Sequence, residues 1–111
     1  MPDTIDRNIF AELQDAAGAE FVIELVATFL EEAPVMLAEL RSAMDAQQAD
    51  KFRRAAHSLK SNCQTFGAMQ LGAMARDLES NGMAGGAPAL DALEAHFREV
   101  AAQLQELSRG G

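Results

Sequence analysis

A chain of 111 residues is the size of one compact domain and too short for two. With 49% hydrophobic residues, 5% aromatics and neither Trp nor Tyr, the core must come from Leu, Ala, Met, Val and six Phe, a set that favours helix over sheet. A net charge of −8 argues against a nucleic-acid binder that works by broad phosphate neutralisation, and one Cys excludes an internal disulfide framework or a multi-cysteine metal site.

In chain order, apolar spacing predicts a short first helix over about 5–16, with Ile5, Ile9, Phe10 and Leu13 on one side and Gly18 as its stop. A second is expected over about 19–46, carrying Phe21, Leu25, Phe29, Met36, Leu37, Leu40 and Met44. Pro34 inside it predicts a kink or a break. A third spans about 49–66 and ends at Gly67; a fourth spans about 68–80 and stops at Asn81-Gly82. The Gly-rich stretch 82–88 reads as a loop, with Pro88 at the first position of a last helix over about 88–108. Gly110-Gly111 reads as a frayed tail. Met36, Met44, Met69, Met74 and Met83 read as core filler. The expected fold is all-α: an antiparallel up-and-down four-helix bundle with a short additional N-terminal helix, one domain over 1–111.

The richest apolar stretch, Phe21 to Leu40, is interrupted by Glu24, Glu31, Glu32, Pro34 and Glu39, so no membrane span is expected. The opening Met-Pro-Asp-Thr has no basic, apolar signal region, which gives a cytoplasmic location as the default, and Met1 favours a free-standing protein.

The third helix holds the chemistry. At roughly 100° per residue, Phe52, Ala55, Leu59, Cys63 and Phe66 share one side, and His57 falls about opposite the centre of that cluster. Arg53, Arg54, Lys60, Ser61 and Gln64 lie within about 60° of His57 on the same wheel. A satisfied core histidine is therefore disfavoured. An ordinary solvated histidine would be the favourite on periodicity alone. Against it stands the run Lys51–Lys60, with four basic residues and no acidic one in an acidic protein, a local field suited to receiving an anion. Small Ser61, one turn on, leaves the ring uncovered.

A reversal at Gly67-Ala68 would make the third and fourth helices an antiparallel hairpin. His57 lies ten residues before Gly67 and Glu79 twelve after it, about 15 and 18 Å of helix, so the two come level. Glu79 would then accept from Nδ1–H and leave Nε2 unprotonated and facing out. A solvated glutamate in a last helical turn is an equal reading on spacing alone.

Ala-His57-Ser-Leu-Lys60-Ser-Asn-Cys-Gln-Thr-Phe66-Gly67-Ala68 resembles the signature of histidine-containing phosphotransfer (HPt) domains: a His, a Lys three residues on, a small residue beside it, and a Gly ten residues after the His. The likeness covers nearly the whole chain, including Leu-Gly-Ala-Met-Ala-Arg-Asp-Leu78-Glu79 and the final amphipathic helix. It implies that His57 accepts a phosphoryl group from a phospho-aspartate and passes it to another, and that Lys60 lies beside the phosphate. It also implies that the residue at position 79, Gln or Glu in relatives, bonds the ring. Ser61, Gln64 and Glu79 support the site; Arg53, Arg54 and Gly67 are expected partner contacts. Ser61 stands where many relatives have Gly, the smallest change available there, and function is expected to survive it.

The implied partners are response regulator receiver domains and a hybrid histidine kinase, met by a monomer. No Walker-type loop and no Asp/Glu cluster with metal spacing is evident, so the magnesium is expected from the receiver domain and the chain is expected to be a carrier, not an enzyme. Four other readings carry less. Cys63 as a nucleophile with His57 as base fails because the two lie about 120° apart. A metal site from His57, His96 and Cys63 lacks ligand spacing. A helical adaptor that keeps the fold without carrying phosphate would not need His57, Lys60, Gly67 and Glu79 together. A histidine-kinase dimerisation domain would need a two-helix dimer and normally an ATP-binding domain.

Overall fold

The computed structural model describes residues 5–110, with side chains to residue 108. Met1–Thr4, read above for a signal region, and Gly111 of the expected tail lie outside the described residues. Five α-helices follow one another: α1 (Arg7–Ala17), α2 (Ala19–Asp45), α3 (Ala49–Phe66), α4 (Met69–Asn81) and α5 (Gly86–Gly110). A 3₁₀ turn at Gly82–Gly85 joins α4 to α5, and the described residues contain no strand.

Each of α2 to α5 packs on its two neighbours in chain order, and α5 closes the ring against α2, the arrangement of an all-α bundle of four long helices. Helix α1 lies across α2 and α3. Inside, Phe29 of α2 meets Phe66 of α3 at 5.1 Å between ring centroids and Phe97 of α5 at 6.0 Å, edge-on. Arg41 ties α2 to α5 from outside through Asp91 (2.9 Å) and Glu94 (3.0 Å).

The helix ends follow from local chemistry. Asp6 caps α1, its Oδ1 accepting from the amides of Asn8 and Ile9. Helix α3 ends in a Schellman motif: the Ala68 amide donates to the Cys63 carbonyl at 2.8 Å and Gly67 to Gln64 at 3.3 Å, with Gly67 left-handed at φ 81°. The α2–α3 corner has the same pattern, Gln48 to Ala43 and Gln47 to Met44, but places Gln47 at φ 56°.

Several expectations change. The break at Pro34 is absent, and α2 runs through it as one helix. Pro34 faces solvent, where water can hydrate the carbonyl its ring leaves unpaired. Phe21 is 52% exposed; the buried stripe of α2 runs instead through Val22, Val26, Phe29, Ala33, Leu37, Leu40 and Ala43. Met69 is also exposed, whereas Met36, Met44, Met74 and Met83 pack on the core. The expected 82–88 loop is a 3₁₀ turn, and α5 begins at Gly86, which puts Pro88 inside the first turn rather than at its first position. That turn has no intrahelical acceptor for an amide, so proline fits. Helix α1 begins two residues later than expected, and Gly110, read as tail, closes α5.

Gln47→Gly should stabilise the protein by about 0.5–1 kcal/mol, the left-handed cost relieved less the entropy of glycine in the unfolded chain. A rise of roughly 2–5 °C in Tm would register it.

Candidate functional site: the shared carboxylate of the α3–α4 hairpin

The site begins with the turn. Gly67 and Ala68 reverse the chain so that α3 and α4 lie antiparallel. The position tolerates little else: a Cβ on Gly67 would stand 2.9 Å from the Asp6 carbonyl oxygen, and the Gly67 carbonyl accepts from the Asp6 amide at 2.8 Å. Gly67 is buried, and the structure gives it a folding role: a left-handed cap that seats the entry to α1.

Gly72 then sets how closely the helices approach. A Cβ there would lie 3.3 Å from Cys63 Cβ, with the Lys60 carbonyl at 3.8 Å. Seven residues on, two turns along the same face of α4, stands Glu79. Below it the contact is apolar: Leu59, Cys63 and Phe66 from α3, with Leu71, Ala75 and Leu78 from α4, all buried.

Glu79 meets two side chains of α3 at once. Its Oε2 is 2.6 Å from His57 Nδ1, and its Oε1 accepts from Lys60 Nζ at 2.7 Å. The Lys60 hydrogen bond holds the Glu79 carboxyl below the ordinary glutamate value; burial pulls the other way, and the His57 bond adds to the lowering. An ionised carboxylate only accepts, so Nδ1 carries a proton and donates. In the neutral ring Nε2 then keeps its lone pair. The His57 side chain is 57% exposed, against 22% for Glu79 and 20% for Lys60. Lys60, expected to be exposed, is thus largely covered in the crease between the helices, because α4 lies over its stem.

The other expected residues stand around the ring. Ser61 and Gln64 are exposed one and two turns on, along the same face of α3. Arg53 is engaged by Asp50 at 3.3 Å, an exposed pair. Arg54 is exposed on the other flank, lining an open groove between α2 and α3 with Glu39, Ser42 and Ser58. Cys63 is fully buried and its thiol pushed up to about 12 by burial, which leaves it inert as a nucleophile. His96 is on α5, its Nδ1 3.4 Å from Glu99 of its own helix. Among the described residues no group of three or more His, Cys, Asp or Glu gathers as a metal site, and no helix is long and apolar enough to cross a membrane. Gly72 is the site-building residue that sequence reasoning missed; a glycine inside an otherwise continuous helix is the signal that could have found it.

Two outcomes follow. Gly72→Val should force α3 and α4 apart, costing about 1–3 kcal/mol as overpacking and weakening the His57–Glu79 bond, visible as a shift of the His57 ring resonances. Because the Glu79 carboxyl is lowered on folding, its stabilising contribution is complete above the unfolded-state value and is lost as pH falls through the folded one. A carboxyl-carbon NMR titration should therefore place Glu79 below ordinary glutamates, and Glu79→Gln should flatten the acid limb of the stability curve.

No curated protein sequence matches the chain. The crystal structure of histidine-containing phosphotransfer protein B (HptB) from Pseudomonas aeruginosa PAO1 superposes with a TM-score of 0.90 at 23% identity, covering 100% of this chain and 99% of that one. The family model described as the Hpt domain matches residues 24–109, which include α3, α4 and their shared carboxylate, and the chain belongs to the Hpt family of histidine phosphotransfer domains.

Proposed function

We propose that this protein is the histidine phosphotransfer component of a two-component phosphorelay, with His57 as the phosphoacceptor. What carries the reading is one observation: a half-exposed imidazole on α3 whose Nδ1 is held by a carboxylate at 2.6 Å, in a chain of the Hpt family. That bond aims an unprotonated Nε2 at solvent, where a partner's phospho-aspartate can reach it in line.

In the transfer, the Nε2 lone pair forms a bond to phosphorus as the aspartyl P–O bond breaks and its electron pair returns to the carboxylate of the donor. Positive charge develops on the ring, and the Glu79 carboxylate on Nδ1–H offsets it. Passage to an acceptor aspartate is the same step reversed, with the lone pair returning to Nε2. The protein needs no phosphate loop for this; positioning and charge do most of the work in phosphoryl transfer. Magnesium and the acceptor aspartate come from receiver domains of response regulators, and the phosphoryl group originates from a hybrid histidine kinase. Arg53 and Arg54 supply positive charge on the approach, and the small Ser61 and polar Gln64 leave room beside the ring. Lys60 adds a third positive charge one turn away. The protein is a carrier rather than an enzyme. It acts in the cytoplasm as a monomer, since the chain holds all the helices that close the bundle around α3.

Incubation with a phosphorylated receiver domain and magnesium should place an acid-labile, base-stable phosphoryl group on this protein. His57→Gln should abolish it at unchanged helical content, whereas His96→Gln should not. Labelling that persists without His57 would move the site.

A further inference from the structure

We infer that the phosphoryl group on His57 rests on one flank of the ring, the flank toward α2, where Arg54 and the hydroxyl of Ser61 bind its oxygens. This deepens the reading of His57 as the phosphoacceptor and rests on it. Its test is read on the phosphorylated protein alone, with no partner bound.

The two nitrogens of an imidazole point to nearly opposite sides of the ring, so fixing one aims the other. Nδ1 is fixed toward α4, by Glu79 at 2.6 Å. On the α3 wheel, at roughly 100° per residue, Lys60 stands about 60° to one side of His57 and Arg53 about 40° to that same side. That side is the one toward α4, since Lys60 Nζ meets Glu79 there at 2.7 Å. Arg54 stands about 60° to the other side, and Ser61 about 40°. That side is the one toward α2, since Arg54 and Ser58 line the groove between α2 and α3. Nε2, turned away from α4, faces the flank that carries Arg54 and Ser61.

Both residues are also uncommitted. Arg53 is held by Asp50 at 3.3 Å and Lys60 by Glu79, whereas among the described residues Arg54 has no such partner. The Ser61 hydroxyl likewise meets none of the described residues, although its neighbours Asn62 and Thr65 spend their donors on carbonyls four residues back, at 2.9 and 3.2 Å. Helical side chains lean toward the N-terminus. The ring of His57 therefore leans over the turn of Arg54, and Ser61, four residues on, leans over the turn of His57. A phosphoryl group brings three acceptor oxygens and about two negative charges, which a guanidinium and a hydroxyl fit. The ledge is open, with both residues exposed, so a docking partner can take over the oxygens without displacing a wall.

The test loads the full chain with phosphoramidate, which passes its phosphoryl group to an imidazole nitrogen and releases ammonia. Phosphorus-31 NMR then follows the phosphoryl resonance against pH at low salt, and circular dichroism checks that each variant folds. A neighbouring cation or hydrogen-bond donor favours the fully ionised phosphoryl group and so lowers the midpoint of this titration. Arg54→Gln should raise the midpoint by about 0.3 pH units or more, and Arg53→Gln by about 0.1 or less, its charge being on the far flank and already paired. Ser61→Ala should raise it by about 0.2 pH units, and Ser61→Thr, which keeps the hydroxyl, should stay near the wild-type value. Equal shifts in the two arginine variants, or a larger one in Arg53→Gln, overturn the inference. So does an unmoved midpoint in Arg54→Gln or in Ser61→Ala. Labelling that survives His57→Gln would overturn the phosphoacceptor reading and this inference with it, a failure distinct from wild-type midpoints on a loaded His57.

Discussion

The carboxylate of Glu79 sits between two side chains of α3, with His57 on one oxygen and Lys60 on the other, and this sharing exists only in one register of α3 against α4. A slip of a single residue turns a helix by about 100° and would carry Glu79 off the shared face. The polar groups do not set that register, because partly exposed ion pairs contribute little by themselves. The buried layer beneath does: Leu59, Cys63 and Phe66 facing Leu71, Ala75 and Leu78, with Gly72 letting the two backbones close. The Gly67 turn fixes the starting point, and the Asp6–Gly67 bond ties it to the entry of α1. The site is thus a consequence of apolar packing, with the polar atoms fitted to a geometry the core imposes.

Much of this was legible in the sequence because it is local. A helix stop at a glycine in left-handed conformation is a property of that residue and its neighbours, so Gly18 and Gly67 marked their ends correctly. The contact between His57 and Glu79 was legible in part: two continuous helices leaving one tight turn bring the positions level, but spacing alone left a solvated Glu79 an equal reading. Other features depend on what a second helix does. A wheel places Lys60 relative to its own axis and is blind to α4 lying over its stem. Nothing in the spacing of α2 separates the stripe through Phe21 and Leu25 from the neighbouring one through Val22, Val26 and Phe29. The small residues Ala33 and Ala43 are buried with the second stripe, and a hydrophobicity pattern gives alanine little weight. Gly72 was missed likewise, its meaning residing in Cys63 of another helix. Pro34 and Pro88 were placed on the strength of a missing amide; whether that matters depends on solvent on one face and on the first turn of α5.

The environment of His57 is divided between its two nitrogens. Nδ1 is held from within by a carboxylate that the Lys60 hydrogen bond keeps below the ordinary glutamate value. Among the described residues nothing comparable holds Nε2, and the ring as a whole is more than half exposed. An enzyme active site would close over the reacting atom to exclude water and gather its own electrostatic stabilisers. A carrier has a different requirement, since its stabilisers arrive with whichever partner docks, and any pocket built around the ring would have to be vacated first.

A charged ring partner also bears on reversibility. In the proposed transfer, forming the Nε2–P bond puts positive charge on the imidazole, and a carboxylate at Nδ1 lowers the energy of that cation. By keeping Nδ1 protonated the carboxylate also preserves the cationic ring, a better leaving group than the neutral one, while its stabilisation of that cation favours the phosphorylated state. A neutral amide at position 79 would orient the ring without either effect. Lys60 moderates the arrangement: by sharing the carboxylate it withdraws some of its charge from the ring while keeping its orientation. Orientation and charge are therefore separable at this site, one carried by the geometry of two bonds to Glu79 and the other by the balance between His57 and Lys60 over a single carboxylate.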